Sequence, residues 1–340
     1  MKMTKIVTAG FMAIGMAFGS VMPVRAETSL SGAGATFPYP IYSKWFDEYH
    51  REHSDIKINY QSIGSGGGIR QFTARTVDFG ATDGPMTDKQ LFSVDGKVLH
   101  IPTVLGAVVP AYNVSGVDDL KFSPEVLAGI FLGNIKTWSD PAIKAINPTA
   151  TLPDMPITVV RRSDGSGTTY IWTDFLSKVS PEWQKKVGKG TSVNWPVGLG
   201  GKGNEGVAGT IKQIKNSIGY VELIYAKQNN IDYAAVRNAS GKFVKADIAS
   251  VTAAAASAAK NMPKDYRVSI TNAAGDDVYP IASFTWLLVY EKNPGANGQV
   301  LKNFLGWMLE KGQSLAPDLG YAPLPESVKK MVEQTVNTIK

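Results

Sequence analysis

The residues best suited to chemistry lie together in Arg161-Arg162-Ser163-Asp164-Gly165-Ser166-Gly167-Thr168-Thr169. They follow an apolar, β-branched run, Ile157 to Val160, that reads as a buried strand. They precede Tyr170 to Leu176, which reads as a helix. A strand feeding a helix through such a turn aims free backbone N–H groups at one small volume. Those donors and the positive end of the helix dipole favour an anion there. Arg162 adds a fixed charge with a fork of donors, and Ser166 and Thr168 add hydroxyls. Asp164 stands two residues on, where it can steady the guanidinium. A plainer alternative is a capped helix start beside a solvated arginine.

Two further stretches repeat the pattern. Gly32-Ala33-Gly34-Ala35-Thr36-Phe37-Pro38 precedes a predicted helix, Tyr39 to Arg51, with Ile41, Trp45, Phe46 and Tyr49 on one apolar face. Pro38 and Pro40 fit its first turn, which places Thr36 near the N-cap. Gly64-Ser65-Gly66-Gly67-Gly68 follows the strand-like Ile56 to Tyr60 and opens a helix expected near Ile69 to Arg75. One glycine-rich run alone reads equally as a flexible loop. Three, each with Ser or Thr at a strand-to-helix turn, favour a shared oxyanion cradle.

Asp83 ends Val77-Asp78-Phe79-Gly80-Ala81-Thr82, a predicted buried strand. Ligands of open α/β sheets bind at such carboxyl ends. A carboxylate among anion-binding donors makes sense only if the anion carries a proton. Phosphate does at neutral pH, and sulfate does not. An ionised Asp83 can accept a P–OH hydrogen bond, whereas sulfate presents it only lone pairs and like charge. The other reading makes Asp83 the cap of a turn before Pro85.

These candidates need elements to hold them. Strand-like and helix-like segments alternate, which predicts α/β architecture. Val98 to Val114 and Tyr279 to Tyr290 read as extended chain, placed to pair and connect two lobes. The block between them, about 108–284, carries the Arg162 loop. Gly200 to Gly206 has the composition of a phosphate loop without its G-K-[ST] ending, and reads as a tight turn capped by Asn204. Ala253 to Lys260 is expected as a short surface helix. Gln299 to Glu310 and Glu326 to Ile339 are predicted helices, the first packing its apolar face on a core.

Composition narrows the class. The chain has 340 residues, enough for two domains. Residues 1–26 have the form of a secretory signal peptide: Lys2 and Lys5, an apolar run to Val21, then Val24-Arg25-Ala26. No other stretch is long and apolar enough to span a bilayer. Cysteine is absent, which excludes disulfides and thiol chemistry. The formal charge is +6, of which Lys2, Lys5 and Arg25 supply 3, leaving +3 for residues 27–340. That suits an anionic ligand and is too little to argue for nucleic acid. His50 and His53 read as solvated surface rather than a metal site, and no metal or other cofactor is expected. Gly165-Ser166-Gly167 lacks the spacing of a nucleophile elbow.

The ordered set Gly32 to Pro38, Ile63 to Gly68, Val77 to Asp83, Arg161 to Thr169, Trp195 to Asn204 and Ile218 to Glu222 resembles one family. It is that of the periplasmic phosphate-binding proteins of bacterial high-affinity phosphate ABC importers, and the likeness runs from residue 27 to about 335. The resemblance implies a two-lobed solute-binding fold of type II, with two crossing hinge strands and a ligand cleft between the lobes. Residues 27–107 with 285–340 would form lobe I, and 108–284 lobe II. The implied phosphate ligands are Thr36, the Phe37 N–H, Ser65, Asp83, Arg162, Ser166, the Gly167 N–H and Thr168, with Asp164 steadying Arg162. Gly66 and Thr82 stand where some members have serine. The implied protein is a monomeric, non-enzymatic periplasmic receptor that delivers inorganic phosphate to inner-membrane permease subunits. Two rivals remain open: a secreted phosphatase or phosphoesterase, and a receptor for sulfate or another oxyanion.

Overall fold

The structure is a computed structural model that describes residues 27–340. The expected signal peptide, residues 1–26, lies outside the described residues. The first part of the chain forms β1 (Thr28–Gly34), α1 (Tyr39–Glu52), β2 (Ile56–Ser62), α2 (Ser65–Thr73), β3 (Phe79–Thr82), α3 (Asp88–Phe92) and the long β4 (Val98–Asn113). Then come β5 (Lys121–Phe122), α4 (Pro124–Leu132), α5 (Pro141–Ile146), β6 (Thr158–Arg162), α6 (Gly167–Val179), α7 (Pro181–Lys186), β7 (Leu199–Gly201) and α8 (Gly203–Gln213). The rest is β8 (Ser217–Glu222), α9 (Leu223–Gln228), β9 (Asp232–Tyr233), β10 (Ala235–Arg237), β11 (Phe243–Val244), α10 (Ile248–Ala259), β12 (Ala282–Tyr290), α11 (Ala296–Glu310) and α12 (Glu326–Asn337).

Strand order along the main sheet is β2-β1-β3-β12-β4-β8-β6-β7, with β9 also on β4. β1 pairs in parallel with β2 and β3, and β6 in parallel with β7 and β8. β4 joins the two halves. Its residues Val98 to Ala107 pair antiparallel with β12, and Val108 to Asn113 pair antiparallel with β8. Strands buried on both faces read as continuous apolar runs, which is why β4 and β12 were legible as extended chain. Together the halves make the two-lobed, type II solute-binding fold.

Aromatic packing fixes the helices that bear the candidate residues. Ile41, Trp45, Phe46 and Tyr49 bury one face of α1, at the spacing read from sequence, and Tyr42 joins them. Trp172 of α6 stacks on Tyr220 of β8, with centroids 5.1 Å apart and planes 12° apart. The Tyr220 hydroxyl accepts the Arg162 N–H at 3.1 Å and bonds the Thr169 hydroxyl at 2.6 Å. One buried tyrosine therefore ties the end of β6 to the first turn of α6.

Three expectations need correction. Helix α2 begins at Ser65, so Gly66 to Gly68 form its first turn instead of a preceding loop. Glycine is needed there for close approach: a Cβ on Gly68 would lie 2.4 Å from the Gly34 Cα. Helix α10 begins earlier than expected, at Ile248, and buries Val251, Ala254 and Ala255 on one face while Ala249, Thr252 and Ala256 stay exposed on the other. Gly203 and Asn204 open α8 rather than a turn, and Asn204 is wholly buried.

Candidate functional site

Each candidate residue lies at the carboxyl end of a strand or the start of the next helix. Thr36 and Phe37 lie between β1 and α1, and Ser65 opens α2. Asp83 follows β3, and Arg162 ends β6. Ser166 is the N-cap of α6, with Gly167 and Thr168 in its first turn. Thr36 is not a cap. Pro38 holds the N-cap position of α1, and no side chain caps that helix.

The residues form one contiguous cluster. Thr36, Phe37, Ser65, Asp83, Arg162, Ser166, Gly167 and Thr168 are all buried. Arg162 donates from Nε to Asp164 Oδ1 at 2.8 Å, from Nη2 to Oδ2 at 2.5 Å, and from Nη1 to Thr168 Oγ1 at 3.3 Å. The Gly203 N–H donates to Asp164 Oδ1 at 3.1 Å. Burial alone would raise the Asp164 carboxyl, but the Arg162 pair and the Gly203 N–H outweigh it and hold it below the usual range. Ser166 Oγ accepts the Thr169 N–H at 3.0 Å, an ordinary cap that leaves its own O–H free to donate. The N–H groups of Phe37, Ser65, Gly167 and Thr168 meet no protein acceptor among the described residues. Buried backbone donors of this kind require a partner.

Asp83 is the exception in a set of donors. Its Oδ1 accepts from the Thr285 hydroxyl at 2.8 Å, and its Oδ2 lies 3.5 Å from the Ser65 hydroxyl. The turn before Pro85 is capped by Thr82 instead, whose Oγ1 donates to the Gly84 carbonyl and accepts the Gly84 N–H. The turn-cap reading of Asp83 is therefore excluded. Burial pushes the Asp83 carboxyl up to about 7, against the opposing effects of Thr285, Arg162 and Ser65.

The two halves touch across this cluster. The Gly66 N–H donates to the Gly165 carbonyl at 2.9 Å. A Cβ on Gly66 would sit 3.0 Å from the Gly165 Cα, so a side chain here requires the Gly165 backbone to give slightly. Tyr225 Oη donates to the Thr36 carbonyl at 2.6 Å.

Sequence reasoning missed Thr285 and Asn204. Thr285 sits on a strand legible only as apolar chain. Asn204 Nδ2 donates to Thr36 Oγ1 at 2.7 Å and to Thr168 Oγ1 at 3.1 Å. The neighbouring glycines made Asn204 look like a turn residue, and no local signal reveals contacts 168 and 36 positions away. The histidines outside the cluster have local partners: His50 Nδ1 bonds the Ile56 carbonyl at 2.6 Å, and buried His100 Nε2 accepts the Met86 N–H at 3.1 Å.

Donors gathered between two lobes at the carboxyl ends of parallel strands define a solute-binding protein. Residues 23–311 accordingly match the family model described as a PBP superfamily domain. The chain belongs to the PstS family of phosphate-binding proteins. It is 46% identical over 316 residues to the phosphate-binding protein PstS of Pasteurella multocida, covering 92% of this chain and 90% of that one. Identity to the protein of the same name from Haemophilus influenzae is 45% over 321 residues, covering 93% and 95%. Among solved structures, a high-affinity periplasmic phosphate-binding protein bound with phosphate superposes with a TM-score of 0.71 at 21% identity, covering 90% of this chain and 93% of that one. At that identity the match speaks for the fold.

Proposed function

We propose that this protein is a periplasmic receptor that captures inorganic phosphate between its lobes and delivers it to an inner-membrane ABC permease. The observation that carries the reading is Asp83: one buried carboxylate among hydroxyl, guanidinium and backbone N–H donors. That set matches an oxyanion with several bare oxygens and one proton. The ligands are Thr36, the Phe37 N–H, Ser65, Asp83, Arg162, Ser166, the Gly167 N–H and Thr168, with Asp164 orienting Arg162. The PstS relatives and the phosphate-bound fold neighbour support the assignment.

Lobe I comprises residues 27–107 and 285–340, and lobe II residues 108–284. The change of partner along β4, from β12 to β8 at Val108, supports that boundary. Residues 1–26 act as a cleaved export signal, and the mature receptor works as a monomer without metal or cofactor. No helix among the described residues is long and apolar enough to cross a membrane.

The protein is a receptor and not an enzyme. Phosphate should raise its melting temperature strongly after any co-purified anion is stripped. Binding to the folded state alone stabilises by ~4 kcal/mol at a thousandfold excess over Kd. A melting temperature unchanged by millimolar phosphate contradicts the receptor. Phosphomonoester hydrolysis that tracks the protein through purification supports a phosphatase instead.

A further inference from the structure

Asn204 touches both lobes, and its amide orientation is fixed by chemistry. Its Oδ1 accepts the backbone N–H of Glu222 at 2.9 Å. A backbone N–H can only donate, so Nδ2 must face the other way. Nδ2 then spends one hydrogen on Thr36 Oγ1 and the other on Thr168 Oγ1. Thr36 Oγ1 also accepts the Asn204 backbone N–H at 3.2 Å, and Thr168 Oγ1 also accepts from Arg162 Nη1. A hydroxyl oxygen has two acceptor sites and one hydrogen. In both threonines the two acceptor sites are filled by protein donors. Neither hydroxyl donates to a protein acceptor among the described residues, so each O–H remains for a ligand.

We infer that Asn204 is a positioning residue that forces the Thr36 and Thr168 hydroxyls to act only as donors toward the bound anion. It thereby leaves Asp83 as the site's acceptor and clasps one lobe to the other through Thr36. Without the amide, either hydroxyl is free to rotate and present a lone pair to an anionic oxygen. Asn204 itself donates nothing to the anion, since both Nδ2 hydrogens and its backbone N–H are already engaged. The inference rests on the phosphate reading of the site.

The test is phosphate titration calorimetry on the stripped protein at pH 7, with Asn204→Ala, Thr168→Val and the double variant. Asn204→Ala should weaken binding about tenfold, the scale of one lost hydrogen-bond function. In the Thr168→Val background the same change should cost at least about threefold less, because one of its two targets is gone. Equal losses in both backgrounds would mean that Asn204 acts by packing, and would overturn the inference. Asn204→Asp keeps the shape and covers the case in which the alanine variant fails to fold. Its carboxylate can only accept, so its affinity relative to the native protein should be lowest at pH 8. It should recover toward pH 5 as the acid gains a proton to donate. A native-to-variant ratio that is flat with pH counts against the inference. Native protein that ignores phosphate removes the receptor reading itself; native binding with Asn204→Ala unaffected removes only the role given to Asn204.

Discussion

The Arg162 guanidinium and the Asp164 carboxylate meet at two points, Nε to Oδ1 at 2.8 Å and Nη2 to Oδ2 at 2.5 Å. Of five guanidinium N–H bonds, two go to Asp164 and one to Thr168. One hydrogen on Nη1 and one on Nη2 remain for an oxyanion. Arg162→Ala should therefore weaken phosphate binding more than any other single change, by ~2–5 kcal/mol. Arg162→Lys should recover only part, since a point charge replaces a planar fork. Near-native affinity in Arg162→Ala would place the anion elsewhere.

Asp83 should set the ratio of phosphate to sulfate affinity. Asp83→Asn removes the like charge and supplies a group that can donate, so sulfate should gain on phosphate. pH gives a second handle. Burial raises this carboxyl to about 7, so its protonated form grows as pH falls through 7. A protonated acid donates instead of accepting. Sulfate should thus compete better at pH 5 than at pH 8 in the native protein, and without that trend in Asp83→Asn. Competition titrations at both pH values check this; identical ratios in both proteins contradict it.

Gly167 is a site of close approach between the lobes. A Cβ there would lie 2.4 Å from Asp83 Oδ2 and 2.5 Å from Ser65 Oγ. Gly167→Ala should hold the lobes apart and weaken phosphate binding by tenfold or more, while circular dichroism reports native secondary structure. Unchanged affinity would show that the lobes need not come this close.

Helix α6 is anchored far from its cap by Asp174. The buried carboxylate takes Lys189 Nζ at 2.6 Å, Lys178 Nζ at 3.1 Å, and the hydroxyls of Ser269 and Thr271. Burial would raise this carboxyl, but those partners outweigh it and hold it at about 2, below the ordinary 3.8. A depressed acid stabilises the fold above its unfolded pKa and loses that stabilisation as pH falls through its folded value. The contribution at pH 7 is at most ~2 kcal/mol, since both lysines are partly solvated. Asp174→Asn should lower the melting temperature at pH 5–7, and the gap to native should narrow below about pH 4. A gap constant down to pH 3 would contradict this.

What was legible in the sequence were features with a local cause. The strand-turn-helix signals around Thr36, Ser65 and Ser166 are short-range, and all three turns reach one volume. The boundary of α2 was not legible, because glycines that look like a loop are held helical by packing against Gly34. The inward face of α10 was not legible because alanine reads the same on a surface as in a tight helix-sheet contact. The bonds from Asn204 to Thr36 and from Thr285 to Asp83 span 168 and 202 positions, which no local pattern encodes.

The measurement that bears most directly on the central claim is calorimetric titration of the stripped native protein with phosphate and, separately, with sulfate. Phosphate should bind at one site per chain at pH 8, where an ionised Asp83 accepts its proton, and should still bind at pH 5, where a protonated Asp83 can donate to a bare phosphate oxygen. Sulfate at pH 8 should bind far more weakly or not at all. No phosphate binding, or sulfate binding of equal strength, would contradict the account.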